Sequence, residues 1–134
     1  DVVLNPKDGE LCGRIMAEAP GGVDATLEMS GHPTSLPLAI ECTRPGGRVS
    51  LLGVYGEGRQ PVDMNQVIFK GLTLQGIVGR KLWETWDQMA DLLQSGRLNL
   101  QPVITHKMHY TEFQKAMELM KAGQAGKVVF TFED

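Results

Sequence analysis

The stretch RPGGRVSLLGVYG, residues 44–56, constrains the fold more than any other part of the chain. Pro45, Gly46 and Gly47 stop whatever helix precedes them, because proline cannot continue a helix and glycine adopts the backbone angles that close one. Val49, Leu51, Leu52 and Val54 follow as a short apolar run broken by Ser50 and Gly53. That is the pattern of a strand covered on both faces in a parallel sheet. Gly53 and Gly56 fall at its carboxyl end, where an open α/β sheet binds its ligand and a glycine lets that ligand approach the backbone. A tight turn would use the same glycines, and this stretch alone does not separate the two uses.

Strands and helices alternate on either side. Val2, Val3 and Leu4 form a short apolar strand, from which Asn5-Pro6 turns the chain. Leu11, Ile15 and Ala19, beside Cys12 and Met16, mark one face of a helix that stops at Pro20-Gly21-Gly22. Residues 23–29 make the next strand, with Ser30-Gly31 at its exit; alternation leaves Asp24 and Glu28 on a polar face unless a second layer covers them. A helix over 34–43 turns Leu36, Ala39 and Ile40 inward, and Pro37 fits only in its first turn.

After the organising strand come a polar loop (57–63), a short apolar segment (Val67, Ile68, Phe69) and a strand over 71–77 that exits through Val78-Gly79-Arg80. Leu82, Trp86, Met89 and Leu93 form one helical stripe closed by Gly96, with Trp83 and Trp86 as packing residues and Glu84, Asp87, Gln88 and Asp91 as the wet face. Strands over 103–108 and 127–132 flank a last helix. The capping box Thr111 to Gln114 opens it, Phe113, Ala116, Met117 and Met120 line it, and Gly123 ends it. Strands alternating with helices predict an α/β fold, a parallel sheet with right-handed crossovers and a βαβ segment at the carboxyl end.

A net charge of −3 and a charged fraction of 22% exclude a basic nucleic-acid binder, and a hydrophobic fraction of 42% over 134 residues excludes a disordered tail. No run approaches the ~20 apolar residues of a membrane helix and no signal-peptide pattern is present, so no membrane partner and a cytoplasmic location are expected. Cys12 and Cys42 are too few and too far apart for a disulfide framework or a four-cysteine zinc knot, and read as reduced thiols on helices. The chain opens at Asp1 without an initiator methionine, and DVVLNP reads as the inside of a strand, so the start of the protein is expected upstream.

The exits Met29-Ser30-Gly31, Leu52-Gly53-Val54 and Ile77-Val78-Gly79 line up on one rim of a parallel sheet, the expected seat of a nucleotide. No G-x-G-x-x-G fingerprint follows a strand, and no Walker lysine motif or ribose-holding acidic residue is placed to help. His106 and His109 lie in strand and loop, where residues three apart point to opposite sides, so no metal site is expected from them. His32 could touch a ribose or be a solvated loop histidine; Arg80-Lys81 could meet a phosphate or be a solvated charge pair.

The runs EMSG (28–31), RPGGRVSLLG (44–53), VIFKGLTLQGIVGR (67–80), ETW (84–86), ITH (104–106) and GKVVF (126–130) resemble the zinc-dependent L-threonine 3-dehydrogenases of the medium-chain dehydrogenase/reductase superfamily. The resemblance covers essentially the whole chain. It implies a partial NAD(P)-binding Rossmann fold, with residues 1–100 as its second part and 101–134 as the return segment of the catalytic, GroES-like domain. It implies NAD as cofactor, with Leu52, Gly53 and Val54 matching backbone contacts around the nicotinamide and Ile77 and Val78 matching a second contact segment.

The zinc ligands, proton relay and glycine fingerprint of that family have no counterparts here, so no catalytic or metal residue is assigned. The intact enzyme would oxidise L-threonine to 2-amino-3-ketobutyrate, and this chain alone would be inactive. A reading of another class is a non-catalytic oligomerisation module. The family's strand order 3-2-1-4-5-6 adds a structural expectation: the strand over 2–4 closes up beside that over 23–29 and leaves an apolar open face. A homodimer or segment-exchanged oligomer would hide that face, with the 71–77 strands paired across a two-fold axis.

Overall fold

The computed structural model describes residues 1–56 and 58–133, which fall into two compact units, Asp1–Gly79 and Arg80–Asp134. The first unit runs α1 (Leu11–Glu18), β1 (Val23–Glu28), α2 (Ser35–Cys42), β2 (Thr43–Leu51), α3 (Met64–Lys70) and β3 (Thr73–Gly76). Its strands are parallel in the order β1-β2-β3, as the alternating pattern requires.

Register places Thr26, Val49 and Leu74 in one row facing α2 and α3. Leu36, Ala39, Ile40 and the fully buried Val49 form the core there, with Leu51, Val67 and Leu72 packed against it. The opposite face carries Ala25, Arg48 and Thr73, then Leu27, Ser50 and Gln75. Apart from Leu27, 62% exposed, that face is polar or small, not the apolar face expected. Polar side chains along the open face let water cover it without a second layer.

Two further expectations are corrected in this unit. Residues 2–4 form no strand, and Val3 is 95% exposed. No described strand lies beside them, and Asn5 caps a 3-10 turn, Pro6–Asp8, that leads the chain away. The Pro45-Gly46-Gly47 segment does not terminate α2, which has already ended at Cys42; it bulges out of β2. The ladder pairs Val23 with Thr43 and Ala25 with Arg48, so four residues of β2 oppose Asp24 alone. Arg44 Nε closes the bulge on Asp24 Oδ1 at 2.6 Å, and a Cβ on Gly47 would meet Arg44 O at 2.8 Å.

What ends α2 comes from elsewhere. The Lys70 ammonium donates to the carbonyls of Ile40, Glu41 and Thr43 at 3.0, 2.6 and 3.1 Å, satisfying acceptors that a helix end leaves open. Lys70 itself closes α3, which occupies the apolar segment 67–69. Asp63 caps that helix by accepting from Asn65 N and Gln66 N, and Gln66 Nε2 reaches back to Asp63 Oδ2.

The second unit holds α4 (Glu84–Gln94), β4 (Ile104–His109), α5 (Phe113–Lys121) and β5 (Lys127–Thr131), with β4 and β5 paired in parallel. Its elements match the expected ones, but its packing does not. Trp83 and Trp86 are 74% and 54% exposed instead of buried in a core, and Arg80 stacks over Trp86 at 4.5 Å. On α5, Ala116 is buried while Phe113, Met117 and Met120 are exposed. A two-stranded sheet offers one short face, too small to cover two amphipathic helices. The Thr111 to Gln114 capping box is absent: Thr111 Oγ1 meets His109 Nδ1 at 2.7 Å inside a 3-10 turn, Tyr110–Glu112.

Candidate nucleotide-facing rim

The carboxyl ends of β1, β2 and β3 meet at one rim, organised by Glu28, the last residue of β1. Its side chain is 3% exposed. Glu28 Oε1 accepts from Ser30 N (2.9 Å), Ser30 Oγ (2.7 Å), Gly31 N (3.0 Å) and Ser35 Oγ (2.8 Å). Burial by itself raises the carboxyl pKa, but the bonds from Ser30, Ser35 and the backbone amides outweigh it and hold the group at about 2. The anion therefore clamps the first turn after β1 to the start of α2.

The next strand hangs from the same residue. Glu28 O accepts from Leu52 N at 2.8 Å and Gly53 N at 3.1 Å, and Leu51 O accepts from Ile77 N at 2.8 Å. These bonds carry the ladder past the strand ends and set Leu52, Gly53, Val54, Ile77 and Val78 side by side, within one unit. The aliphatic residues are open to solvent: Val54 is 90% and Val78 97% exposed, Leu52 and Ile77 each 44%. The amides of Val54 and Val78 have no partner among the described residues. The rim thus offers a small apolar wall with free backbone donors.

Gly53 is required by the packing of the chain itself. A Cβ there would run into Gly31 N and the Glu28 carboxylate, and Gly31 Cα would stand 2.8 Å away. Gly31, at φ +65°, presses on the Val54 backbone in return, where a Cβ would meet Val54 C at 2.7 Å. The two glycines let one strand exit nest into the other, so the space beside Gly53 is filled by the chain itself. Sequence reasoning placed Ser30 at this rim but missed Ser35, Tyr55 and the burial of Glu28. The legible signal was an acidic residue at a strand end followed two and three residues on by serine and glycine. Two buried polar atoms at this rim, Glu28 Oε2 and Tyr55 Oη, lack a hydrogen-bond partner among the described residues. Burial pushes the Tyr55 phenol up, and the nearby Glu28 charge adds to it.

The other candidates make local contacts of their own. His32 is exposed and pairs its Nδ1 with Thr34 Oγ1 at 2.8 Å. Arg80 and Lys81 belong to the second unit, where Lys81 approaches Glu84 at 3.6 Å. His106 Nδ1 contacts Thr105 Oγ1 at 2.9 Å. Among the described residues no group of three or more His, Cys, Asp or Glu could hold a metal ion. No described helix is long and apolar enough to cross a membrane.

A parallel sheet with crossover helices and a glycine-nested carboxyl rim is the Rossmann-like architecture of the medium-chain dehydrogenases. The sequence profile of the zinc-binding dehydrogenases matches residues 1–95, and the chain belongs to that family of oxidoreductases. It is 49% identical over 133 residues to the L-threonine 3-dehydrogenase of Pyrococcus horikoshii, a match covering 97% of this chain and 38% of that protein. It is 50% identical over 109 residues to the L-threonine 3-dehydrogenase of Bacillus licheniformis, covering 81% of this chain and 31% of that protein. The solved alcohol dehydrogenase TADH from Thermus sp. ATN1 superposes with a TM-score of 0.87 at 30% identity, over 98% of this chain and 38% of that one. The chain spans under two-fifths of the length of these relatives.

Proposed function

We propose that this chain supplies the nicotinamide-side wall of the NAD site in an NAD-dependent L-threonine 3-dehydrogenase. The observation that carries the reading is the rim itself: Leu52, Val54, Ile77 and Val78 stand exposed at adjacent strand ends, with free amides at Val54 and Val78. Aliphatic side chains suit the face of a flat ring, and backbone N–H groups suit the oxygen of its carboxamide. Gly53 contributes by letting the two exits nest, which holds Val54 in place. When bound, NAD supplies the acceptor for the hydride that leaves the threonine carbinol carbon. The chain's own residues hold and orient the ring and shield one side of it from water. The described residues do not form a zinc site, and no step through zinc is assigned to them.

The same reading takes residues 1–100 as the second part of the Rossmann domain and 101–134 as the return segment; the reach of the family profile, residues 1–95, supports it. It carries with it a cytoplasmic setting, where a dehydrogenase meets its dinucleotide, and a homodimer or higher homo-oligomer formed through the open edge of β3. Titrating the chain with NADH and following nucleotide fluorescence tests the proposal. Saturable binding in the micromolar to millimolar range supports a surviving half-site. No binding at millimolar NADH turns the reading toward the non-catalytic oligomerisation module.

A further inference from the structure

The crossover helices bring together two thiols that stand 30 residues apart in sequence. Cys12 lies in the first turn of α1 and Cys42 is the last residue of α2; the helices pack on each other and Cys42 Sγ sits 2.7 Å from Cys12 Sγ. Both are free thiols. Sequence separation had argued against pairing, but the α1–β1–α2 crossover cancels that separation. A disulfide requires about 2.05 Å between sulfurs, so about 0.7 Å of closure remains. Gly13 follows Cys12 with nothing within 4 Å of its Cβ position, which gives the first turn of α1 freedom to make that adjustment.

We propose that Cys12 and Cys42 are a modification site: a hydroperoxide converts them to a reversible intramolecular disulfide that staples α1 to α2. Cys12 Sγ attacks one oxygen of the hydroperoxide, the O–O bond breaks, an alcohol (water, for hydrogen peroxide) leaves, and Cys12 becomes a sulfenic acid. Cys42 Sγ then attacks that sulfur. The S–O bond breaks, and the hydroxyl leaves as water with the Cys42 thiol proton. Two thiols have given two electrons to the peroxide, and a dithiol reductant reverses the change.

The environments assign the order. Cys12 is half-buried and open to the oxidant, whereas Cys42 is 2% exposed. Burial, with the bond it donates to Cys12 adding, pushes the Cys42 thiol up to about 12, so it keeps its proton until the sulfenic acid forms beside it.

The test uses the full chain, reduced and dilute, exposed to hydrogen peroxide and quenched with catalase. The expected result is loss of both titratable thiols, a mass lower by about 2 Da, a peptide map joining the Cys12 and Cys42 peptides, and full reversal by dithiothreitol. In urea the same bond should form at least about tenfold more slowly, because the fold no longer sets the effective concentration. In Cys12→Ser, Cys42 should resist peroxide over the same period. The proposal is overturned by retention of both thiols, by oxygen adducts without a cross-link, by cross-links between two copies, or by equal rates in native buffer and urea. Rapid oxidation of Cys42 in Cys12→Ser overturns the order of attack.

Discussion

Replacing Glu28 by Gln tests whether a buried anion holds the rim together. The carboxyl falls from an ordinary 4.5 to about 2 in the folded chain. At about 1.4 kcal/mol per pH unit, that difference corresponds to about 3 to 4 kcal/mol of folding stability. Because the folded-state value is the lower one, this stability is fully present above pH 4.5 and drains away as the pH falls toward about 2. Gln at position 28 cannot titrate. The wild type should therefore exceed Glu28→Gln by about 3 to 4 kcal/mol at neutral pH, with the gap closing on acidification through that window.

Urea titrations at several pH values give the comparison, read by far-ultraviolet circular dichroism or by hydrogen exchange in residues 23–51. Tryptophan fluorescence is the wrong probe, because Trp83 and Trp86 both belong to the second unit. A gap that stays constant from neutral pH down to pH 3 would refute the argument that ionised Glu28 is the clamp.

Gly53→Ala should destabilise the first unit by about 1 to 3 kcal/mol through its clash with Gly31 and the Glu28 carboxylate, read by urea denaturation. A change below about 0.5 kcal/mol would show that the strand exits have room to part. Lys70→Met removes the ammonium that three α2 and β2 carbonyls share and should cost about 2 kcal/mol, with faster amide exchange at the end of α2. Unchanged exchange there would mean that water satisfies those carbonyls equally well.

The sequence by itself determined the local alphabet of this protein. Helical stripes such as Leu36, Ala39 and Ile40, the alternating and apolar runs of β1 to β3, and stops such as Gly96 and Gly123 all depend on residues within a few positions of one another. Backbone geometry reads such spacings directly. The alternation of strand and helix then left a parallel α/β sheet as the solution, and its three exits had to share a rim. Asp63 likewise carries a local N-cap signal for α3, since its carboxylate accepts from the Asn65 and Gln66 amides two and three residues on.

Tertiary structure decided what depends on a distant partner. An apolar Val2-Val3-Leu4 becomes a strand only if another strand lies beside it, and none of the described strands does. Pro45-Gly46-Gly47 looks like a helix stop until the ladder shows four residues set against Asp24, because a bulge is a property of two strands and not of one. Trp83, Trp86 and Phe113 have the spacing of core residues, but burial requires a surface to bury against, and periodicity says nothing about where that surface lies. Glu28 reads as a solvated end of an amphipathic strand, yet Ser30, Ser35 and two nested glycines enclose it. Lys70 reaches carbonyls of residues 40–43, and Cys12 meets Cys42 across 30 positions. Hydrogen bonding and steric exclusion act over a few ångströms of space, and only the folded chain sets which residues share that space.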